Sequence, residues 1–332
     1  MPAAARPLPP RGDHFRGDSI ARSTLGLTLA AGLALAGCAA PPAGPSQLQV
    51  VASTAVIADL ARNVGGDRAR VRALLPAGAE VHTFQPSPRH GEMIAGARVI
   101  LSNGLGLEAF LQGLLKGAAS PGALQVVLSE GISARPFVGA KAVIGTDSAA
   151  ATPEHAGEGN EGGSDPHLWL SVPNAMAYVA RIREAFIQAD PAGADLYRRN
   201  AASYLDRLAA LDQEIVEAVA AVPPPRRKLV TFHDAYGYLA ERYGLEVVGF
   251  VLKSQGGEPS AAQVAQLVRA IRAQGVPAVF TEPQFNPRIL ELAAREAGVR
   301  VLQLYSDTLD EQSSSYVAMM QANARALVEG LR

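Results

Sequence analysis

The sequence predicts an α/β protein of two similar lobes, each a mostly parallel sheet flanked by helices, joined by one long rigid connecting helix. Three observations predict it. The chain has 332 residues, too many for one ordinary core and comfortable for two domains. In both halves short apolar runs alternate with amphipathic ones, the βα order of a parallel sheet covered on both faces. Between the halves a single helical pattern runs until Pro223-Pro224-Pro225 stops it. About 30 residues at 1.5 Å each make a rod of roughly 45 Å, well beyond the usual helix of about 11–12 residues. The expected limits are 48–189 for the N-terminal lobe, 190–222 for the helix and 223–332 for the C-terminal lobe.

Composition sets further bounds. Hydrophobic residues make up 48%, charged residues 18%, and the formal net charge is −1. That is a globular composition without the basic footprint of a nucleic-acid binder. Cys38 is the one cysteine. It excludes an intrachain disulfide framework and a cysteine-based zinc cluster, so a metal site must use nitrogen and oxygen donors.

Residues 1–37 read as a leader rather than folded domain. Arg6, Arg11, Arg16 and Arg22 precede an apolar run from about Leu25 to Ala36. That run is too short for a stable span and matches a signal-peptide core. It ends in Leu35-Ala36-Gly37-Cys38, which resembles the bacterial lipobox, with cleavage before Cys38 and a lipid on its thiol. The expectation is an exported chain, lipid-anchored on the periplasmic or cell-surface side of a membrane. Residues 38–47, rich in Ala and Pro, then form a flexible tether.

The body starts with a strand at Leu48 to Ala52, a helix at Ile57 to Asn63 and a strand at Val71 to Leu75. In Glu80-Val81-His82-Thr83-Phe84-Gln85-Pro86-Ser87-Pro88 the two prolines forbid regular structure, which puts His82 in a loop. A helix at Arg89 to Ala97, a strand at Val99 to Leu101, a helix at Gly106 to Gly117 and a strand at Leu124 to Leu128 follow. Ile144 to Ser164 is rich in Ala, Gly and acids and reads as a loop. It leads into Asp165-Pro166-His167-Leu168-Trp169-Leu170, where Asp165 is pushed to extended geometry by the proline and the sole Trp packs under His167. After a helix at Pro173 to Ala189, Asp190-Pro191 reads as N-cap and first residue of the long helix, whose many charged positions point to solvent. In the second half, strands are expected at Leu229–Phe232, Glu246–Phe250, Ala278–Phe280 and Arg300–Leu304. The helices are Ala235–Tyr243, Ala261–Gln274, Pro287–Glu296 and Ser313–Leu331.

Strand ends are where open α/β sheets bind ligands. His233 follows one strand and Asp307 another, while His82 and His167 lie at loop junctions of the first half. Three imidazoles and a carboxylate suit tetrahedral zinc, although such distant spacing does not itself bring them together. No His-Glu-x-x-His hydrolase motif is present.

The pieces His82-Thr-Phe-Gln-Pro-Ser-Pro, Asp165-Pro-His-Leu-Trp-Leu, Thr231-Phe-His-Asp-Ala-Tyr-Gly-Tyr, Glu258-Pro-Ser, Thr281-Glu-Pro-Gln-Phe and Tyr305-Ser-Asp-Thr-Leu carry a resemblance. Together they resemble the metal-binding lipoproteins of bacterial zinc/manganese ABC importers, the cluster A-I solute-binding proteins, over about Gln49 to Leu331. The resemblance implies two lobes on one long helix, a metal buried between them, and delivery to a membrane permease driven by a cytoplasmic ATPase. Carried over position by position, it makes His82, His167, His233 and Asp307 the ligands. Manganese-favouring members commonly have Glu at the position of His233, which points to Zn²⁺ here, with Mn²⁺ or Fe²⁺ as the alternative. Two departures stand out. Val81, not an acid, precedes His82. The loop before His167 is short, with only His155 among Glu154, Glu158 and Glu161, and reads as solvated and acidic.

The expected protein is a monomeric binding component and not an enzyme. Four protein ligands leave no open position for an activated water. A zinc-dependent hydrolase is the remote alternative, and Glu282 is its one nameable base. Glu282 otherwise reads as a loop-packing carboxylate or as a partner of a ligand imidazole. His90 reads as a surface residue at a helix start, and Tyr236, Tyr238 and Tyr243 as core.

Overall fold

The computed structural model describes residues 47–81, 84–137, 163–250 and 261–332. The leader and Cys38, His82, the acidic loop with His155 and the loop before Ala261 therefore lie outside the described residues. Among the described residues no helix is long and apolar enough to cross a membrane.

The first half alternates β1 (Leu48–Ala52), α1 (Ala55–Gly65), β2 (Ala69–Ala73), α2 (Pro88–Ala95), β3 (Val99–Ser102), α3 (Ala109–Ala118) and β4 (Leu124–Val127). All four strands are parallel, in the order β2-β1-β3-β4. β1 is paired on both sides, so Val50, Val51 and Ala52 are buried without the alternation of a half-exposed strand. β2 is an edge and reads Ala69-Arg70-Val71-Arg72-Ala73, with Arg70 exposed. His90 is part of a capping box at the start of α2: its Nδ1 lies 2.8 Å from the Ser87 amide.

The connecting region differs from expectation in its start. α4 (Val172–Ala189) ends at Asp190, a 3₁₀ turn covers Pro191–Gly193, and α5 (Ala194–Ala220) follows. Asp190 and Pro191 therefore begin the turn and not the long helix. The Asp190 carboxylate is drawn to Arg68, 122 residues away, with bonds of 2.6 and 2.8 Å, and to the Tyr197 hydroxyl (2.7 Å). The Arg68 hydrogen bond, together with Tyr197, outweighs burial and holds the carboxyl below its ordinary range. Gly193 is needed at this junction. A Cβ there would come within 2.5 Å of Arg68 Nε and 2.6 Å of the Tyr197 ring.

The second half contains β5 (Lys228–Thr231), α6 (Gly237–Tyr243), β6 (Glu246–Phe250), α7 (Ala261–Gln274), β7 (Ala278–Thr281), α8 (Arg288–Ala297), β8 (Arg300–Gln303) and α9 (Tyr316–Leu331). β5 pairs in parallel with β6, and β7 with β8. β5 runs beside β7, so the lateral order β6-β5-β7-β8 repeats that of the first half. In both halves the order reverses between the first and third strands. That reversal opens a crevice at the strands' carboxyl ends. α6 starts at Gly237, two residues later than the sequence suggests. The Ala235 amide turns back to the His233 carbonyl (3.1 Å), and the intervening residues form a turn.

α5 faces solvent over much of its surface, as its charged positions predict, and buries one face. Tyr197, Ala201, Tyr204, Leu208, Leu211, Ile215 and Val219 form one buried stripe at helical spacing. α5 packs against α1 and α4 of the first lobe and against α9 and α6 of the second. Each fully buried large apolar side chain contributes about 1.5–3 kcal/mol, so the stripe fastens both lobes to one helix. Further bonds cross between the lobes near α9. The Tyr316 amide donates to Asp59 Oδ2 (2.8 Å), and its hydroxyl to the Trp169 carbonyl (2.6 Å).

Candidate metal centre

His233 lies just beyond β5 and Glu282 just beyond β7, on either side of the second lobe's crevice. His233 Nδ1 is 2.8 Å from Glu282 Oε1, and the His233 amide is 3.3 Å from the same oxygen. The Glu282 carboxylate is fully buried. It also accepts from the Ser306 hydroxyl and from Gln284 Nε2 (3.2 Å), which in turn donates to Ser306 Oγ (2.9 Å). With Nδ1 donating to a carboxylate, the neutral His233 ring carries its lone pair on Nε2. Phe285, stacked on Phe232, meets the ring edge-on at 5.3 Å.

His167 is positioned the same way from the first lobe. Its Nδ1 is 2.8 Å from Asp165 Oδ1, and its amide donates to the same oxygen at 3.0 Å. Asp165 and His167 are both buried. Asp-Pro-His thus forms an Asx turn in which one short carboxylate fixes both the backbone and the ring. Asp165 is a functional residue that sequence reasoning missed. The readable signal is an Asp two residues before a His with a proline between them. Trp169 packs edge-on against His167, with ring centroids 5.6 Å apart. On the far side Arg135 lies 3.6 Å from Asp165 Oδ2, and the Tyr238 hydroxyl donates to the Asp165 carbonyl at 3.1 Å.

Asp307 stands between the two imidazoles. Its Oδ1 is 3.5 Å from His167 Nε2 and its Oδ2 is 3.4 Å from His233 Nε2. Donor atoms of the three residues all lie within 4.8 Å of one another, a separation one metal ion can bridge. Asp307 is held from the first lobe on both sides. Trp169 Nε1 donates to the Ser306 carbonyl (2.8 Å), and the Gly78 amide approaches Thr308 Oγ1 (2.6 Å) and the Leu309 carbonyl (3.1 Å). Gly78 is on the stretch that leads to His82. The structure thus brings together His167, His233 and Asp307, and places Glu282 on the outer nitrogen of His233. Tyr236, Tyr238 and Tyr243 are buried.

The electrostatics fit a cation. Burial works against the His233 imidazolium, but Glu282 and then Asp307 prevail and hold its pKa well above the ordinary value. Burial, reinforced by the Asp165 charge, raises Asp234 to about 6. A site lined by these carboxylates favours positive charge, whether a proton or a metal ion.

Comparison with known proteins gives a consistent result. The profile of a family described as ZnuA, zinc-uptake complex component A, periplasmic, matches residues 50–330. The manganese-binding lipoprotein MntA of Halalkalibacterium halodurans is 31% identical over 307 residues, 90% of this chain and 95% of the relative. The iron-binding protein YfeA of Yersinia pestis is 31% identical over 291 residues, 86% of each chain. Among solved structures, a zinc-bound ZnuA with residues 138–173 deleted superimposes with a TM-score of 0.71 at 25% identity, covering 86% of this chain and 98% of that one.

Proposed function

We propose Zn²⁺ as the cargo of this chain, which belongs to the ZnuA family, the periplasmic metal-binding components of ABC importers. It is a substrate-binding protein rather than an enzyme, exported and working with a membrane permease and its ATPase. In our reading His82, His167, His233 and Asp307 are the ligands. Residues 48–189 and 223–332 are the lobes on either side of the connecting segment 190–222. Residues 1–37 are removed, 38–47 are the tether, Cys38 carries the lipid, and the body acts as a monomer.

The observation that carries the proposal is the pair of imidazoles, each with Nδ1 on a buried carboxylate and Nε2 facing Asp307. A carboxylate on the outer nitrogen fixes the tautomer and raises the basicity of the inner one, as at many zinc-histidine sites. Three imidazoles and one carboxylate suit four-coordinate Zn²⁺. Arg135 and Tyr238 hold Asp165, and Ser306 and Gln284 hold Glu282, so the donors are set before the ion arrives.

Manganese or iron is the second reading, because relatives of 31% identity are named for those metals. Asp307 presents both oxygens inward, and two-oxygen binding would raise the coordination number towards what Mn²⁺ prefers. Affinity alone does not separate the two, since nitrogen and oxygen sites generally hold Zn²⁺ more tightly than Mn²⁺. Deletion of the chain is expected to slow growth in metal-depleted medium, with rescue by added Zn²⁺ and not by Mn²⁺. Rescue by Mn²⁺ alone would overturn the zinc assignment. On the purified protein, one Zn²⁺ equivalent should perturb the fluorescence of Trp169, the only Trp, because its ring touches His167 and its Nε1 holds the Asp307 loop.

The buried stripe of α5 limits how far the lobes separate on release. Scattering profiles of metal-loaded and chelator-stripped protein should give the same radius of gyration within error. A substantial expansion would mean that the helix bends or that one lobe leaves it.

A further inference from the structure

We propose that Asn103 is a positioning residue for the metal site: it aims His167 by holding the carbonyl of Pro166. The inference rests on the reading of His167 as a ligand. Asn103 follows β3, at the first lobe's own crevice, in the place that corresponds to Glu282 after β7. It is fully buried. Its Nδ2 donates to the Pro166 carbonyl (2.9 Å) and to the Gly104 carbonyl (3.0 Å), and its Oδ1 accepts from the Tyr178 hydroxyl. The Pro166 carbonyl belongs to the peptide group that joins Pro166 to His167. Fixing that plane sets the direction in which the His167 side chain leaves the backbone. Asp165 then fixes the ring, so the two hold different degrees of freedom of one side chain.

The crevice that would otherwise take a ligand is filled from within. Buried Glu108 accepts from the Asn103 amide (2.6 Å), the Gly104 amide (3.1 Å) and the Ser53 hydroxyl (2.6 Å). The turn that makes this possible runs through three successive positive φ values: Gly104 (90°), Leu105 (56°) and Gly106 (82°). At Gly104 a Cβ would also come within 2.5 Å of Val127. A non-glycine residue in this region is uncommon, and such conformations persist where the surroundings dictate them. The first lobe thus uses its crevice to hold Asn103, while the second uses its own to hold His233.

The test uses the full-length chain in detergent, stripped of metal and titrated with Co²⁺. Asn103→Leu combined with Tyr178→Phe removes both partners of the Asn103–Tyr178 hydrogen bond at similar volume, and takes the Asn103 donor away from the Pro166 and Gly104 carbonyls. Tyr178→Phe alone leaves the bond to Pro166 in place. The double variant is expected to bind Co²⁺ about 10- to 100-fold more weakly, the range seen when partners of metal ligands are removed. Its visible Co²⁺ spectrum should be altered even at saturation, and Tyr178→Phe should match the wild type in both respects. A folded double variant with wild-type affinity and spectrum would overturn the proposal. So would an equal loss in Tyr178→Phe, which would mark the effect as general packing. Should the double variant not fold, Asn103→Ser is titrated in its place, and wild-type affinity and spectrum there overturn the proposal equally. His167→Ala is the control on the premise. If it binds Co²⁺ like the wild type, the ligand assignment falls and the role of Asn103 falls with it.

Discussion

His233→Ala and Asp307→Ala are each expected to weaken Zn²⁺ binding by on the order of a thousandfold, beyond the 10- to 100-fold typical of a partner that merely holds a ligand. His233→Ala removes a nitrogen donor and leaves Glu282 buried without the ring it fixes. Asp307→Ala removes a carboxylate that faces both imidazoles. Competition titration of metal-stripped protein against a chelator of known affinity measures both. Glu282→Gln, which keeps the shape but loses the charge behind His233, should fall in the smaller range. Tight Zn²⁺ binding unaffected by Asp307→Ala would remove Asp307 from the ligand set.

Zn²⁺ affinity should also fall steeply with acid. In the metal-free protein the Glu282 and Asp307 charges overcome burial and hold the His233 pKa well above the ordinary value, which favours the protonated ring. The metal needs the neutral ring. Binding therefore expels a proton, and affinity should drop by about tenfold per pH unit below the metal-free pKa. Asp234, raised to about 6 by burial and by Asp165, takes up a second proton near and below that pH and steepens the fall. Calorimetry in buffers of different ionisation enthalpy should show net proton release on Zn²⁺ binding, larger at acid than at alkaline pH. A flat affinity from about pH 7.5 to about 5.5 would mean that the ion displaces no such proton. The sign for stability is the opposite. A raised folded-state pKa stabilises the fold fully below the unfolded value, and that stabilisation is lost as pH rises through the folded value. His233 therefore makes the metal-free fold relatively more stable on the acid side, while bound Zn²⁺ favours the alkaline side.

What is legible in the sequence follows from the range of the forces involved. Parallel strands announce themselves because burial on both faces leaves short apolar runs such as Leu229 to Phe232. His167, His233 and Asp307 are legible because each follows such a run or a proline-marked loop and matches a family pattern. The start of α5 is not, because Asp190 is a good cap locally while its carboxylate is claimed by Arg68 from the far side of the lobe. The buried stripe on α5 is masked by the many charged residues on its other faces. Glu282 is legible as a loop-packing carboxylate or as an imidazole partner, and only the fold decides between them, because its bond to His233 spans 49 residues of chain. Asp165 is local enough to be found, since Asp-Pro-His closes on itself. Asn103 and Glu108 carry no such signal. Ser102-Asn103-Gly104-Leu105-Gly106 reads as an ordinary turn until Pro166 arrives beside it.

The arginines of β2 have a consequence outside the site. A sheet with open borders can recruit a strand from a neighbouring copy. β2 is such a border in the first lobe, with exposed Arg70 and half-buried Arg72 on alternate positions of a short strand. Like charges brought together across a growing interface repel, and charged residues are a common guard on edge strands. The same two side chains thus weigh against sheet-to-sheet joining between copies of the chain.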